Sequence, residues 1–294
     1  MDTLVARYYR PPYIGLVAFA AVMLALPFGH TLLVLLRHNF QGTAEVVVSL
    51  PLGLGGWLLV WKGRKRGETV GSWLGFIAGQ MIWLGWFEFG WKLFAHAMNL
   101  APVTWNGAPI LSAELQVIQA TGIPLMVVLS FLYVNKETRC NAVLWIRRQL
   151  RMDAGRPVTG KERNFAAVTA LETVAVTWAC YVIIICAYDP RLGLGPMSVP
   201  ALGLFAVCLV WSVWLLGRLL KYTHVGSALR YAIPTGNVLW IVVEAGSRMR
   251  LYPEIWVKPL QYPMAMTGIT LAMIAVLASI PMAPEKGGRA ETAG

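Results

Sequence analysis

Two carboxylates stand inside apolar stretches of this chain, each followed four residues later by a cation. Glu88 precedes Lys92 within residues 79–92 (GQMIWLGWFEFGWK), and Glu244 precedes Arg248 within residues 236–248 (GNVLWIVVEAGSR). Both stretches run Gly, amide (Gln80, Asn237), Trp (Trp83, Trp240), then Glu-x-Gly-x-Lys/Arg, and the first holds one extra residue between Trp and Glu. On a helix, an acid four residues before a base is the favourable order for an ion pair. The plain reading is therefore an intrahelical pair whose cation reaches toward the membrane surface. The chemical reading is a pair of carboxylates flanking a site that exchanges protons or binds a ligand, since ionisable groups in membrane segments mark functional sites. The glycine two residues after each Glu lets a helix or ligand approach the backbone.

Other polar groups extend the set. His96 continues the face of Glu88 and Lys92 by another four residues, and His30, His38, Glu45 and Glu114 fall toward the same end of their segments. Imidazoles and carboxylates suit proton transfer or a metal ion, so His30, His38 and His96 are the candidate metal ligands. Their spacing contains no HxxxH or ExxH. A bis-histidine haem needs two histidines at matched depth, which helix rise does not give His30 and His96. Glu172 lies in a separate apolar segment with no charged neighbour within a turn. It reads either as a structural group paired across the bundle or as a relay in a polar path. Gln80 and Asn237 read as interhelical hydrogen-bonding amides. Trp83 and Trp240 read as packing anchors or as the wall of a pocket for a flat ligand.

These residues need helices to hold them. Of 294 residues, 57% are hydrophobic and only 13% charged, against roughly 25% charged in soluble domains. The composition predicts an all-α integral membrane protein. Eight segments approach the ~20 apolar residues that a span requires: 13–36, 44–61, 70–92, 114–134, 165–187, 199–220, 227–247 and 263–282. Asp2, Arg7 and Arg10 precede the first without a small-residue cleavage site, so that helix is expected to be retained. With both termini cytoplasmic, 19 of the 25 Lys and Arg fall inside and six outside. That bias predicts an even helix count in a bacterial-type inner membrane. It also accounts for the net charge of +11 without nucleic acid as a partner.

The repeated stretch has company. Trp57-Leu58-Leu59 is echoed by Trp214-Leu215-Leu216, Val70-Gly71-Ser72 by Val225-Gly226-Ser227, Pro102 and Trp105 by Pro253 and Trp256, and Gly122-Ile123 by Gly268-Ile269. The order predicts two four-helix halves, 1–134 and 165–282. Four spans per half insert the same way up, giving a parallel repeat. The extra residue before Glu88 is taken up either by a π-bulge or by a loosened turn at Gly85. Between the halves, 135–164 reads as a basic cytoplasmic linker whose residues 141–152 form an amphipathic helix on anionic lipid. Residues 283–294 read as a disordered tail.

No Walker A, GxSxG, HExxH or dinucleotide fingerprint occurs, and no CxxC links the four cysteines, which read as small buried hydrophobes. Three functions fit. The first is a membrane subunit of a multi-subunit complex, binding a lipophilic or redox ligand such as a quinol beside the Glu and His residues. The second is a solute or ion transporter using the paired Glu. The third is an assembly or scaffold protein. Crowding of ionisable groups at one end favours the first.

Overall fold

The computed structural model describes residues 10–40, 43–105, 107–125, 127–128, 144, 147–149, 151 and 163–279. The predicted linker with its amphipathic helix, the second half of the predicted fourth helix and the tail fall largely or wholly outside these residues.

The described chain is an α-helical bundle. Its helices are α1 (Tyr13–Asn39), α2 (Thr43–Gly63), α3 (Glu68–Ile82), α4 (Phe89–Ala97), α5 (Ala113–Ala120), α6 (Phe165–Ala187), α7 (Val199–Leu219), α8 (Val225–Arg248) and α9 (Pro263–Ser279). Four are long and apolar enough to cross a membrane: Tyr13–Asn39, Ala44–Gly63, Phe165–Ala187 and Val199–Leu219. The segment predicted at 70–92 is helical throughout, but α3 and α4 are joined by a single π-turn, Trp83–Glu88. The extra residue before Glu88 is thus absorbed as a π-bulge. A short antiparallel hairpin, β1 (Val103–Trp105) and β2 (Ala108–Leu111), caps this end of the bundle. Its turn uses Gly107 at φ +76°, a conformation that glycine adopts at no steric cost.

Small residues set the packing. A Cβ on Gly75 would stand 2.3 Å from the carbonyl oxygen of Ala166, and one on Gly79 would stand 2.7 Å from the Cβ of Thr173. Backbones of α3 and α6 therefore meet at a distance only glycine permits, as small residues allow in membrane helices. On α2, Gly56 lies against the Ala78 carbonyl and Gly53 against the Trp86 ring, so this glycine-rich helix is tightly packed on α3 and the π-turn. Across the bundle, Gly236 of α8 meets Val22 of α1, and Gly15 of α1 meets the backbone at Leu219 and Leu220.

Helix α3 thus lies on α2 and α6, and α8 lies on α7 and α1; α3 and α8 also touch. Inside are Val22, Trp83, Ile184, Ile185, Leu229 and Ile233. Outside, α2 exposes Trp57, Leu58 and Trp61, α7 exposes Val210, Trp211 and Trp214, and α9 exposes Met264 and Leu271. Such continuous apolar faces suit lipid contact.

One sequence match fails in register. Gly79 and Gly236 are 157 residues apart, as are Trp83 and Trp240. The match of Val70-Gly71-Ser72 with Val225-Gly226-Ser227 has a spacing of 155. Both helices run without interruption from there to the Trp, so these triplets cannot occupy equivalent turns.

Candidate functional site

The site begins with the π-turn. In an α-helix, residues five apart differ by about 140° in direction. The wider i→i+5 turn brings them onto one side. Trp83 and Glu88 are five apart, and the Trp83 Nε1–H donates to Glu88 Oε1 at 2.9 Å. Glu88 is 7% exposed, and its second oxygen, Oε2, is buried without a hydrogen-bond partner among the described residues. An unmet buried polar group costs about 1–3 kcal/mol, and more when charged.

The expected pairing of Glu88 with Lys92 is not found. The Lys92 ammonium turns to Glu45 at the start of α2, with Nζ 2.7 Å and 2.9 Å from its two oxygens. Arg37 of α1 approaches the same carboxylate at 3.8 Å and reaches Glu114 of α5 at 3.4 Å. Glu45 and Glu114 thus belong to a rim network joining four helices. Lys92, the fourth residue of α4, instead reaches the first turn of α2, where a partly buried acid meets it with both oxygens.

The second copy keeps the expected pair. Arg248 Nη2 donates to Glu244 Oε1 at 3.1 Å, four residues back. Arg248 Nη1 also donates to the Ile110 carbonyl of β2 at 2.7 Å, and the guanidinium lies over the Tyr188 ring. Ser247 bonds both the Glu244 carbonyl and the Glu254 carboxylate. Glu244 is as buried as Glu88, at 7% exposed, but it is held by a cation that the hairpin fixes in place. Trp240, the Trp of the second sequence stretch, has its Nε1–H buried and without a partner among the described residues.

A pair of side chains joins the two copies. The Tyr181 hydroxyl of α6 shares a hydrogen bond with His30 Nε2 of α1. The Tyr181 ring packs 5.6 Å from Trp83, and His30 lies nearly parallel to Trp240 at 6.2 Å. Phe87 and Trp91 pack on Trp83 and Trp178 packs on both of them, and Trp256 lies 4.8 Å from Trp240. The arrangement is an aromatic row crossing the bundle, with two buried carboxylates beside it.

The remaining expected residues lie elsewhere. His38 and His96 are exposed, and only His30 enters the aromatic row. Among the described residues no group of three His, Cys, Asp or Glu is disposed to hold a metal ion. Asn237 donates to the Ile233 carbonyl of its own helix at 2.9 Å, so its amide does not bridge helices as expected. Gln80 is half-buried on α3. Glu172 is half-buried on α6, under the influence of Arg230 and Arg163. Arg230 in turn binds Glu68 and Ser72, which form a second polar group at the opposite end of α3 and α8. Tyr181, Tyr188 and Glu254 were not singled out from the sequence. A signal did exist for Tyr181: Thr169, Thr173, Thr177 and Tyr181 recur every fourth residue along an otherwise apolar helix, and all four are buried.

Comparison with family models, with curated proteins and with solved structures finds no match to this chain.

Proposed function

We propose that this chain is an eight-span inner-membrane protein built as a parallel four-plus-four repeat. In this reading it serves as a membrane subunit that binds a lipophilic, quinol-like ligand at the aromatic row. The observation that carries the reading is the meeting of Trp83, with Glu88 on its indole N–H, and Trp240 at the His30–Tyr181 pair. Trp83 and Trp240, 157 residues apart in sequence, supply matched rings to one buried place.

The contacts support the repeat. If α2 and α3 correspond to α7 and α8 at a spacing of 157, the contact of Gly79 with Thr173 answers that of Gly236 with Val22. The contact of Gly63 with Ala166 answers that of Gly15 with Leu219 and Leu220. Both comparisons make α1 and α6 equivalent at a spacing of 151. His30 and Tyr181 are separated by that same interval, so they are repeat mates bonded to each other across a pseudo-two-fold axis. The charge bias of the loops supports cytoplasmic termini, which places the Glu88 end toward the outer leaflet. Absence of a soluble catalytic motif fits a subunit that works with other membrane subunits.

Transport is the second reading. It is favoured by the other polar group, where Glu172, Arg230 and Arg163 stand toward the opposite end of the bundle. Binding separates the two. Purified protein in lipid nanodiscs should retain a short-tailed benzoquinol, and combined replacement of Glu88 and Glu244 by Gln should abolish retention. Failure to bind the benzoquinol, with ion or solute flux in sealed vesicles, would favour transport. Reporter fusions after Arg163 and after Gly294 should both signal cytoplasm; a periplasmic signal at either would break the eight-span topology.

A further inference from the structure

We infer that the last turn of α2 and the loop after it bind the headgroup of an anionic phospholipid. Arg64, with Lys62, Lys65 and Arg66, takes the phosphodiester, and the exposed face of α2 takes an acyl chain. This site is separate from the aromatic row, and neither depends on the other.

Lys62, Arg64, Lys65 and Arg66 fall within five residues, and the fold holds them in one tight turn. The Arg64 N–H donates to the Trp61 carbonyl and the Arg66 N–H to the Gly63 carbonyl. Gly63 anchors the turn on α6, since a Cβ there would stand 2.5 Å from the Cβ of Ala166. All four cations are exposed. Like charges set so closely repel one another, yet among the described residues none of the four meets a carboxylate. Glu68, the nearest acid in sequence, turns instead to Arg230.

What holds Arg64 is an aromatic ring. Its guanidinium lies 4.0 Å from the centroid of Trp61, a cation–π contact that leaves the N–H fork available in the geometry that suits phosphate oxygens. Trp61 is itself 64% exposed, as interfacial Trp residues are at the level of headgroups. From it an apolar stripe runs back along α2 through Trp57, Leu54, Leu50 and Val47, all exposed and at helical spacing. From Val47 to Trp61 the helix rises ~21 Å, more than the ~15 Å that is half of a hydrocarbon core. Cations, interfacial ring and apolar stripe thus follow the order of a phospholipid, from phosphate to acyl chain. A soluble anion would use only the first of these, so the occupant is a lipid. The end of α7 is an internal control: Arg218 lies 5.0 Å over Trp214, but only Lys221 joins it there.

The test counts lipids on the full-length protein in a neutral detergent by native mass spectrometry, titrated with phosphatidylglycerol and with phosphatidylcholine of the same chains. Each Lys or Arg near an anionic headgroup contributes about fivefold in affinity, so the wild type should hold phosphatidylglycerol at least about tenfold more tightly. Replacing Lys62, Arg64, Lys65 and Arg66 together by Gln should remove most of that preference at the tightest site, while Arg218→Gln with Lys221→Gln should leave it. The four side chains are exposed, so the melting transition should not move. If it does, Arg64→Gln alone is read, with an expected loss of about fivefold. Equal binding of the two lipids by the wild type, or an undiminished preference in the substituted turn, would overturn the assignment. Displacement of the lipid by millimolar inorganic phosphate would do the same, by marking the turn as a simple anion site. Benzoquinol retention should be unchanged in every variant, and failure of the benzoquinol to bind leaves the lipid site standing.

Discussion

The two copies of Glu-x-Gly-x-Lys/Arg start from nearly the same letters and reach different chemistry. In the copy on α8, the regular helical register keeps Arg248 on Glu244, and the Ile110 carbonyl and the Tyr188 ring hold the guanidinium there. In the copy on α3 and α4, one added residue opens a π-turn, Trp83 takes the place of the cation at Glu88, and Lys92 is released to Glu45. A locked carboxylate and an available one thus arise from a single inserted position. The difference teaches that helical register, rather than residue identity, decides which acid keeps an unpaired oxygen.

The comparison breaks most visibly if the insertion is removed. Deleting Leu84 should return residues 83–88 to regular α-helix, separate Trp83 from Glu88, and pull Gly85 from its seat against Gly53 and Ser49. The expected loss is about 3 kcal/mol or more, as for other disruptions of buried packing and hydrogen bonding. Thermal melting in detergent would read it. An unchanged melting transition would show that the π-turn holds nothing in place.

Next in size is the contrast between the two acids. Glu244→Gln leaves Arg248 largely buried beside a neutral amide, and breaking a buried pair in this way costs about 3 kcal/mol. Glu88→Gln removes no ion pair and retains the indole bond, so its cost should stay below about 1 kcal/mol. Denaturation of both variants under one condition measures the difference. Equal losses would mean that the locked and available carboxylates are not distinct.

How far this was legible follows from what each feature depends on. The helices were readable because a long apolar run has few other ways to satisfy its backbone in a membrane. The repeated motif and the surplus residue before Glu88 were visible as letters, although a π-bulge and a loosened turn at Gly85 were equally open. The partner of Lys92 was hidden, because it depends on the first turn of α2 lying within reach of residue 92, and nothing local to residue 92 encodes that. Asn237 misled for the opposite reason. A buried amide was expected to reach another helix, but the carbonyl of Ile233, one turn below, was nearer. The hairpin at Val103–Leu111 was too short to carry an alternating pattern, and so its part in fixing Arg248 was missed. The stripe of Thr169, Thr173, Thr177 and Tyr181 marked a polar line on α6, but that Tyr181 meets His30 follows only from the packing of α1 and α6 around α3 and α8.

That bond gives a test of intermediate size. Tyr181→Phe keeps the ring against Trp83 and removes the hydroxyl from His30. Losing one partner of a partly buried hydrogen bond should cost about 1–2 kcal/mol. If the two copies meet at His30 and Tyr181, the variant should also weaken benzoquinol retention by the purified protein. A stable variant with full retention would place the ligand away from the junction.

The smallest effect is also the most direct reading of the divergence, because it asks which acid Lys92 belongs to. Lys92 and Glu45 lie at 2.7 Å with side chains 34% and 12% exposed, so screening and side-chain entropy limit their coupling to about 0.5–1 kcal/mol. A double-mutant cycle of Lys92→Met with Glu45→Gln should return a coupling of that size. The same cycle with Glu88→Gln should return almost none, since the Lys92 ammonium lies on Glu45 and not on Glu88. The corresponding cycle of Arg248→Met with Glu244→Gln should return a coupling several times larger, because that pair is more buried and the guanidinium is positioned from two further sides. Cycles isolate such pairwise terms where single substitutions cannot. A Lys92 coupling to Glu88 as large as that to Glu45 would make the two copies equivalent after all. The orphaned oxygen of Glu88 would then be answered by its own lysine, and the division between a locked and an available carboxylate would collapse.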